Sequence, residues 1–136
     1  MPGRVDVFFY GLFMDEALLR EKGLDPQNRR LASLENFSLV VGARASLVPS
    51  EGSRVYGVLF SLDHREVDLL YSDASVSAYR PEIVTANLDE GSAARALCYN
   101  LPGPPSTEER NPQYASKLRK LAEDIGLPSN YIASIQ

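Results

Sequence analysis

Two short segments of the sequence combine residue types that could bind an anion and transfer a proton. The first, Tyr10-Gly11-Leu12-Phe13, follows an apolar run and precedes a helix-forming one, so several of its backbone N–H groups could face a carboxylate. The second contains Asp73, which lies between two apolar stretches and could exchange protons with a ligand in a cleft. The first segment is equally compatible with an ordinary turn, and the second with a solvated aspartate that caps a loop.

Four tyrosines are further candidates, because a tyrosine offers a flat apolar ring and a hydroxyl group to a ligand. They could line a pocket near the two segments, or they could pack with their hydroxyl groups at the surface. The sequence leaves both arrangements open for Tyr79, Tyr99, Tyr114 and Tyr131.

The composition excludes several other chemistries. Cys98 is the only cysteine and His64 the only histidine, so the chain can form neither an internal disulfide nor a zinc site built from these residue types. No Gly-x-Ser-x-Gly nucleophile elbow accompanies His64, which argues against a Ser-His-Asp triad. We therefore expect no metal site.

Size and charge bound the class of protein. The chain has 136 residues, of which 44% are hydrophobic, and we expect a single domain over residues 1–136. The net charge is -4 and the basic residues form no large cluster, so we expect no nucleic-acid partner. No apolar run approaches the roughly 20 residues needed to span a bilayer, and the N-terminus leads into a strand rather than a signal peptide. We expect a soluble, cytoplasmic protein that binds a small molecule and no membrane.

Strand and helix signals surround the first segment. Residues 5–10 read Val-Asp-Val-Phe-Phe-Tyr and predict a largely buried strand that ends at Gly11. Asp15 is the expected N-cap of a following helix, which Gly23 should end. Residues 25–28 predict a turn. The candidate anion-binding segment would thus join the end of a strand to the start of a helix.

A strand-rich stretch follows this helix. Residues 37–42 and 43–49 predict two strands around a kink, and residues 50–53 predict a second turn. Residues 55–62 predict another strand. Gly57 inside it indicates a bulge or the close approach of another backbone or a ligand.

A helix should deliver the chain to the candidate carboxylate. Asp63 and Glu66 have the spacing of a capping box and predict the start of this helix, which leads to Asp73. Residues 79–88 and 94–100 predict two further strands, joined by a hairpin turn.

The last part of the chain predicts a loop and a helix. Residues 102–110 are rich in proline, after which Asn111 should cap a helix with Pro112 at its first position. Gly126 and Pro128 should end that helix. Strands outnumber helices and occur in a mixed order with them. The sequence therefore predicts an α+β fold with a mixed, partly barrel-like sheet and two or three packed helices.

Three separated segments resemble, in their order and spacing, the γ-glutamylcyclotransferase-like superfamily. Tyr10-Gly11 matches the start of its Tyr-Gly-Ser-Leu loop, and residues 55–62 resemble its Val-x-Gly-x-Leu-Tyr strand. Asp73 lies at the glutamate of its Leu-Asp-x-x-Glu-Gly motif. Residues 126–131, Gly-Leu-Pro-Ser-Asn-Tyr, are similar to its closing Gly-Leu-Pro-x-x-Tyr.

The resemblance implies the fold of that superfamily and a transferase reaction that requires no cofactor. In this reaction the α-amino group of a γ-glutamyl substrate attacks its own γ-glutamyl carbonyl, forms 5-oxoproline and expels an amine or an amino acid. The resemblance implies that the backbone of Tyr10, Gly11, Leu12 and Phe13 holds the substrate, and that Asp73 is the general acid and base. It names neither the leaving amine nor an oligomeric state.

The chain departs from the superfamily pattern at three positions. Leu12 stands at a small hydroxyl residue, Asp73 at the glutamate and Ala74 at a glycine. These departures define an alternative, a catalytically weak or inactive module of the same fold that binds a small carboxylate metabolite. Tyr79 and Tyr99 are expected to line the ligand pocket in both cases.

Overall fold

The computed structural model describes residues 4–42, 45–72, 76, 78–88, 91–101 and 111–135. Its strands are β1 (Arg4–Phe9), β2 (Gln27–Val41), β3 (Ala45–Asp63), β4 (Arg80–Leu88) and β5 (Ala93–Asn100). Its α-helices are α1 (Glu16–Glu21), α2 (His64–Tyr71), α3 (Pro112–Ile125) and α4 (Ser129–Ser134), and a 3₁₀ turn covers Leu12–Met14.

The five strands close into a barrel in the order β1-β3-β2-β4-β5. Neighbouring strands are antiparallel except β1 and β5, which pair in parallel with Val7 opposite Leu97 and so close the barrel. The parallel pair makes the sheet mixed, and the predicted α+β fold with a barrel-like sheet is confirmed.

The core lies where β1 passes against β3. Val7, Phe8, Leu59 and Phe60 are all at most 1% exposed. Gly57 permits the close approach of the two strands, because a Cβ atom at this position would lie 2.2 Å from the carbonyl oxygen of Phe9. The predicted close approach of another backbone at Gly57 is confirmed.

The predicted helix caps are confirmed. The side chain of Asp15 accepts hydrogen bonds from the N–H groups at the start of α1, Asp63 and Glu66 form a reciprocal capping box on α2, and Asn111 caps α3. Helix α4 was not predicted from the sequence. It has six residues and begins after Pro128 without a side-chain cap, so it carries neither a capping signal nor a usable periodicity.

Both turns predicted on either side of residues 37–49 overlap strands. β2 already begins at Gln27, so the predicted turn at residues 25–28 and the predicted strand start at residue 37 were wrong in their bounds. Residues 50–53 lie within β3 as an excursion from the β2–β3 ladder. Between the pairs Glu35–Arg54 and Phe37–Pro49, the single β2 residue Asn36 lies opposite residues 50–53 of β3. The side-chain oxygen of Asn36 accepts a hydrogen bond from the N–H of Gly52.

Candidate active site

A cavity of about 300 Å³ opens where β1 ends. This volume is at the lower end of the roughly 300–1,000 Å³ that is typical of small-molecule sites. Six of the residues predicted from the sequence lie in its wall: Tyr10, Gly11, Leu12, Phe13, Tyr79 and Tyr99. The strand β1 and the 3₁₀ turn bring the first four together, and β4 and β5 bring the two tyrosines to the same space.

The seventh predicted residue, Asp73, lies outside the described residues. In the sequence it falls between Tyr71, at the end of α2, and Val76. Both of these residues line the cavity. The role of Asp73 stays a prediction.

The segment after β1 contributes three consecutive residues, Gly11, Leu12 and Phe13, to the cavity wall. The N–H groups of Met14 and Asp15 donate to the carbonyl oxygens of Gly11 and Leu12, which forms the 3₁₀ turn. Among the described residues, no hydrogen-bond acceptor is recorded for the N–H groups of Gly11 and Phe13. Two donors within one turn are suited to a carboxylate or an oxyanion.

Tyr114 reaches this segment from the first turn of α3. Its hydroxyl oxygen accepts a hydrogen bond from the N–H of Leu12 at 3.4 Å. A Cβ atom on Gly11 would lie 2.8 Å from the same oxygen, so the glycine is needed for space rather than for backbone freedom. The sequence offered Tyr114 only as one of four tyrosines that could line a pocket or face the surface.

The tyrosines form most of the remaining wall. The rings of Tyr71 and Tyr99 are stacked, with centroids 3.8 Å apart and planes at 10°, and the ring of Phe13 meets Tyr71 edge-on at 6.0 Å. The hydroxyl of Tyr10 donates to the carbonyl oxygen of Tyr99 at 2.9 Å, and that of Tyr79 donates to the carbonyl oxygen of Ala45. Aromatic packing and hydroxyl bonds together fix the shape of the cavity.

Burial keeps four of the hydroxyl groups of the wall neutral. It raises the pKa of Tyr10, Tyr71, Tyr99 and Tyr114 above the ordinary value for a tyrosine. At neutral pH these groups can donate and accept hydrogen bonds, but they cannot serve as anionic bases. A base for proton transfer must therefore come from another residue.

Asn100, at the end of β5, is hydrogen-bonded to Leu47, near the start of β3. Its side-chain oxygen accepts the N–H of Leu47 at 2.9 Å, and its amide group donates to the carbonyl oxygen of Leu47 at 2.8 Å. The side chain thus acts as a strand partner that fixes the start of β3, including Ala45, against the end of β5. No sequence pattern predicted this role, because an asparagine at a strand end is common in turns.

Lys22 is the only side chain of the described cavity wall that carries a charge at neutral pH. It follows α1, and its ammonium nitrogen lies 6.0 Å from the centroid of the Phe13 ring. No sequence pattern points to Lys22, because a lysine after a helix is usually an ordinary surface residue.

The described part of the chain has neither a metal-binding cluster of side chains nor a helix that could span a membrane. It contains no group of three or more His, Cys, Asp or Glu side chains that could hold a metal ion. None of the helices in this part is long and apolar enough to cross a membrane.

The family model for "Gamma-glutamyl cyclotransferase, AIG2-like" matches residues 7–118. The match begins within β1, contains the other four strands and ends halfway along α3, so it includes every described residue of the cavity wall. The chain belongs to this family of cyclotransferase-type enzymes. The predicted resemblance to the superfamily is confirmed.

Solved structures support the same fold. A structure titled "Gamma-glutamyl cyclotransferase" is 22% identical with a TM-score of 0.78, and the alignment covers 98% of this chain and 88% of that one. An uncharacterized protein from Homo sapiens is 22% identical with a TM-score of 0.76 over 98% and 89% of the two chains. An AIG2-like protein from Mus musculus is 18% identical with a TM-score of 0.56 over 82% and 90%. No curated protein sequence matches the chain.

Proposed function

We propose that this protein is a γ-glutamyl cyclotransferase that releases 5-oxoproline from a γ-glutamyl amine or a γ-glutamyl amino acid. The observation that carries the proposal is the composition of the cavity wall. The N–H groups of Gly11 and Phe13 lie at the same cavity as Tyr71 and Val76, the described residues that flank Asp73 in the sequence. Donors for an anion and a carboxylate for proton transfer are what the reaction requires.

The reaction forms one bond and breaks one bond. The α-amino nitrogen of the substrate attacks the γ-carbonyl carbon, and the bond from that carbon to the leaving nitrogen then breaks. Asp73 takes a proton from the α-ammonium group before attack and returns a proton to the leaving nitrogen. The ring nitrogen then gives up its second proton, which the released amine binds. Attack occurs within one molecule, so the protein has to hold the substrate folded and needs no second reactant.

Backbone N–H groups would stabilise the charge that develops during attack. The carbonyl oxygen becomes an oxyanion in the tetrahedral intermediate, and the substrate also carries a permanent α-carboxylate. The segment from Gly11 to Phe13 offers donors for these oxygens without any side-chain rearrangement.

The test is an assay of 5-oxoproline formation with a panel of γ-glutamyl amines and γ-glutamyl amino acids. We expect turnover by the unmodified protein and a loss of about a hundredfold or more in kcat for Asp73→Asn, because the amide cannot accept the proton. Asp124→Asn is the matched control, since Asp124 is exposed on α3 and away from the cavity wall. Turnover by Asp73→Asn at the unmodified rate would contradict the role of Asp73.

A second candidate is a module that binds a small carboxylate without turning it over. One observation favours it: the Leu12 N–H is already engaged by the hydroxyl of Tyr114, and the Leu12 side chain lines the cavity. Calorimetric titration with the same panel separates the two functions. Binding without 5-oxoproline supports the module, whereas turnover removes it.

A further inference from the structure

We propose that Asn100 is a positioning residue of the candidate site. Its side chain takes the place of β1 as a partner of β3 and thereby fixes the turn that carries the N–H groups of Gly11 and Phe13. The inference rests on the proposed function, because that function assigns these N–H groups to the substrate. It adds a residue that acts on them from outside the described cavity wall.

β1 ends just before the level that Asn100 occupies in the barrel. It lies between β5 and β3, and its last recorded pair with β3 is that of Phe9. In the parallel ladder, Val7 of β1 lies opposite Leu97 of β5. Tyr10, the residue after β1, is therefore level with Asn100, the last residue of β5. Because β1 and β3 are antiparallel, the start of β3 extends past the end of β1.

The side chain of Asn100 makes the two bonds to β3 that a strand residue would exchange with its partner. Its amide group donates to the carbonyl oxygen of Leu47 at 2.8 Å, and its oxygen accepts the N–H of the same residue at 2.9 Å. The oxygen also accepts the N–H of Leu101 at 3.0 Å, which fixes the orientation of the side chain. An ionised aspartate has no donor for Leu47 and a leucine has neither group, so the pair requires an amide.

These bonds hold both neighbours of Gly11. Tyr10 precedes it in the sequence, and the hydroxyl group of Tyr10 donates to the Asn100 oxygen at 3.3 Å. In space, a Cβ atom on Gly11 would lie 3.6 Å from the Cβ of Ala45, which stands two residues before Leu47 in β3. Loss of the Asn100 side chain would free Tyr10 and the start of β3, and the turn between them would move. A displacement of about 1 Å in such donors is costly for catalysis.

The experiment measures 5-oxoproline formation and the backbone N–H signals in NMR spectra for Asn100→Leu and Asn100→Asp. Both variants should lose about tenfold or more in kcat/KM at a temperature at which circular dichroism shows them folded. The N–H signals of Gly11 and Phe13 should shift in both. Leu62→Ala is the matched control, because Leu62 is fully buried but lies opposite Val5, at the other end of β1. It should lose stability while it keeps kcat/KM and both signals.

Each other outcome decides a separate point. Unchanged kcat/KM or unshifted signals in the folded Asn100 variants overturn the inference and leave the proposed function intact. An equal loss of kcat/KM in Leu62→Ala also overturns it, because Asn100 would then act through stability alone. If neither Asn100 variant folds, Asn100 holds the barrel as a whole and the inference fails. If the unmodified protein yields no 5-oxoproline, the proposed function fails, and the spectra decide the inference: shifted signals of Gly11 and Phe13 support it, and unshifted signals overturn it.

Discussion

The hydroxyl group of Tyr114 accepts a hydrogen bond from the backbone N–H of Leu12, and the two residues are 102 positions apart in the sequence. This contact ties the first turn of α3 to the segment that follows β1. Because the hydroxyl oxygen accepts from Leu12, its own proton is available to a ligand, and burial keeps that proton in place by raising the pKa of Tyr114. The C-terminal helix therefore contributes directly to the candidate anion site.

Gly11→Ala should impair the site through a clash with that hydroxyl group. The new Cβ atom would lie 2.8 Å from the Tyr114 oxygen, whereas the φ of Gly11, -114°, is one that alanine adopts freely. We expect kcat/KM for 5-oxoproline formation to fall about tenfold or more, because a displacement of about 1 Å in a positioning segment is costly. The measurement is steady-state kinetics with the best substrate of the panel.

The double variant Gly11→Ala with Tyr114→Phe separates the clash from other effects. Removing the hydroxyl gives the methyl group its space, so the double variant should be more active than the product of the two single effects predicts. Tyr114→Phe alone should raise KM, because it removes the hydroxyl group from the candidate anion site. It should leave the thermal stability nearly unchanged, because it keeps the ring. Strictly multiplicative losses would show that Gly11 and Tyr114 act independently.

Gly57→Ala should be among the most destabilising small substitutions in the chain. Its Cβ would lie 2.2 Å from the carbonyl oxygen of Phe9 and 2.8 Å from the ring of Phe8, so β1 and β3 would have to separate in the core. We expect a loss of about 3 kcal/mol or more in the free energy of unfolding, measured by urea denaturation.

Gly52→Ala is the reference for this measurement. Gly52 has a φ of +81° and no atom within 4 Å of the added Cβ, so the substitution costs only the backbone conformation, about 1 kcal/mol. If Gly57→Ala were no worse than Gly52→Ala, the close approach of β1 to β3 would not be a constraint on the fold.

Local signals predicted the parts of the fold that local chemistry determines. Asp15, Asp63 and Asn111 cap helices where their side chains predicted it, because a cap needs only the next three residues. The bounds of β2 were wrong because the pairing partner, and not the residue type, decides whether Gln27 and Asn28 belong to a strand.

The candidate site could be predicted only in part, because some of its contacts join residues that are far apart in the sequence. Residues 10–13 are consecutive and carry a recognisable pattern, so the sequence could point to them. Lys22 reaches the cavity through the packing of α1, and Asn100 pairs with Leu47 through the closure of the barrel, which no local pattern encodes. The contact between Tyr114 and Leu12 depends on the same long-range packing.

Cys98 gives the protein a specific dependence of stability on high pH. The side chain is fully buried in β5, and burial, together with the charge of Glu82, raises the pKa of its thiol to about 12 from an ordinary value of 9.0. Between these values the unfolded chain releases the thiol proton and the folded protein keeps it. The unfolded state then binds fewer protons than the folded state. The free energy of unfolding is therefore independent of Cys98 well below pH 9, and it falls as the pH rises from about 9 towards 12. The slope is at most about 1.4 kcal/mol per pH unit.

Urea unfolding at pH 7, 9 and 10.5 measures this effect in the unmodified protein and in Cys98→Ala. The variant should be less stable at pH 7, because it leaves a small cavity, but the difference between the two proteins should narrow as the pH rises, since only the unmodified chain carries the thiol. Other ionising groups, including the buried tyrosines, are common to both and cancel in the comparison. A constant difference across the three pH values would mean that the Cys98 thiol ionises equally easily in the folded and unfolded chains, which its burial beside the barrel core argues against.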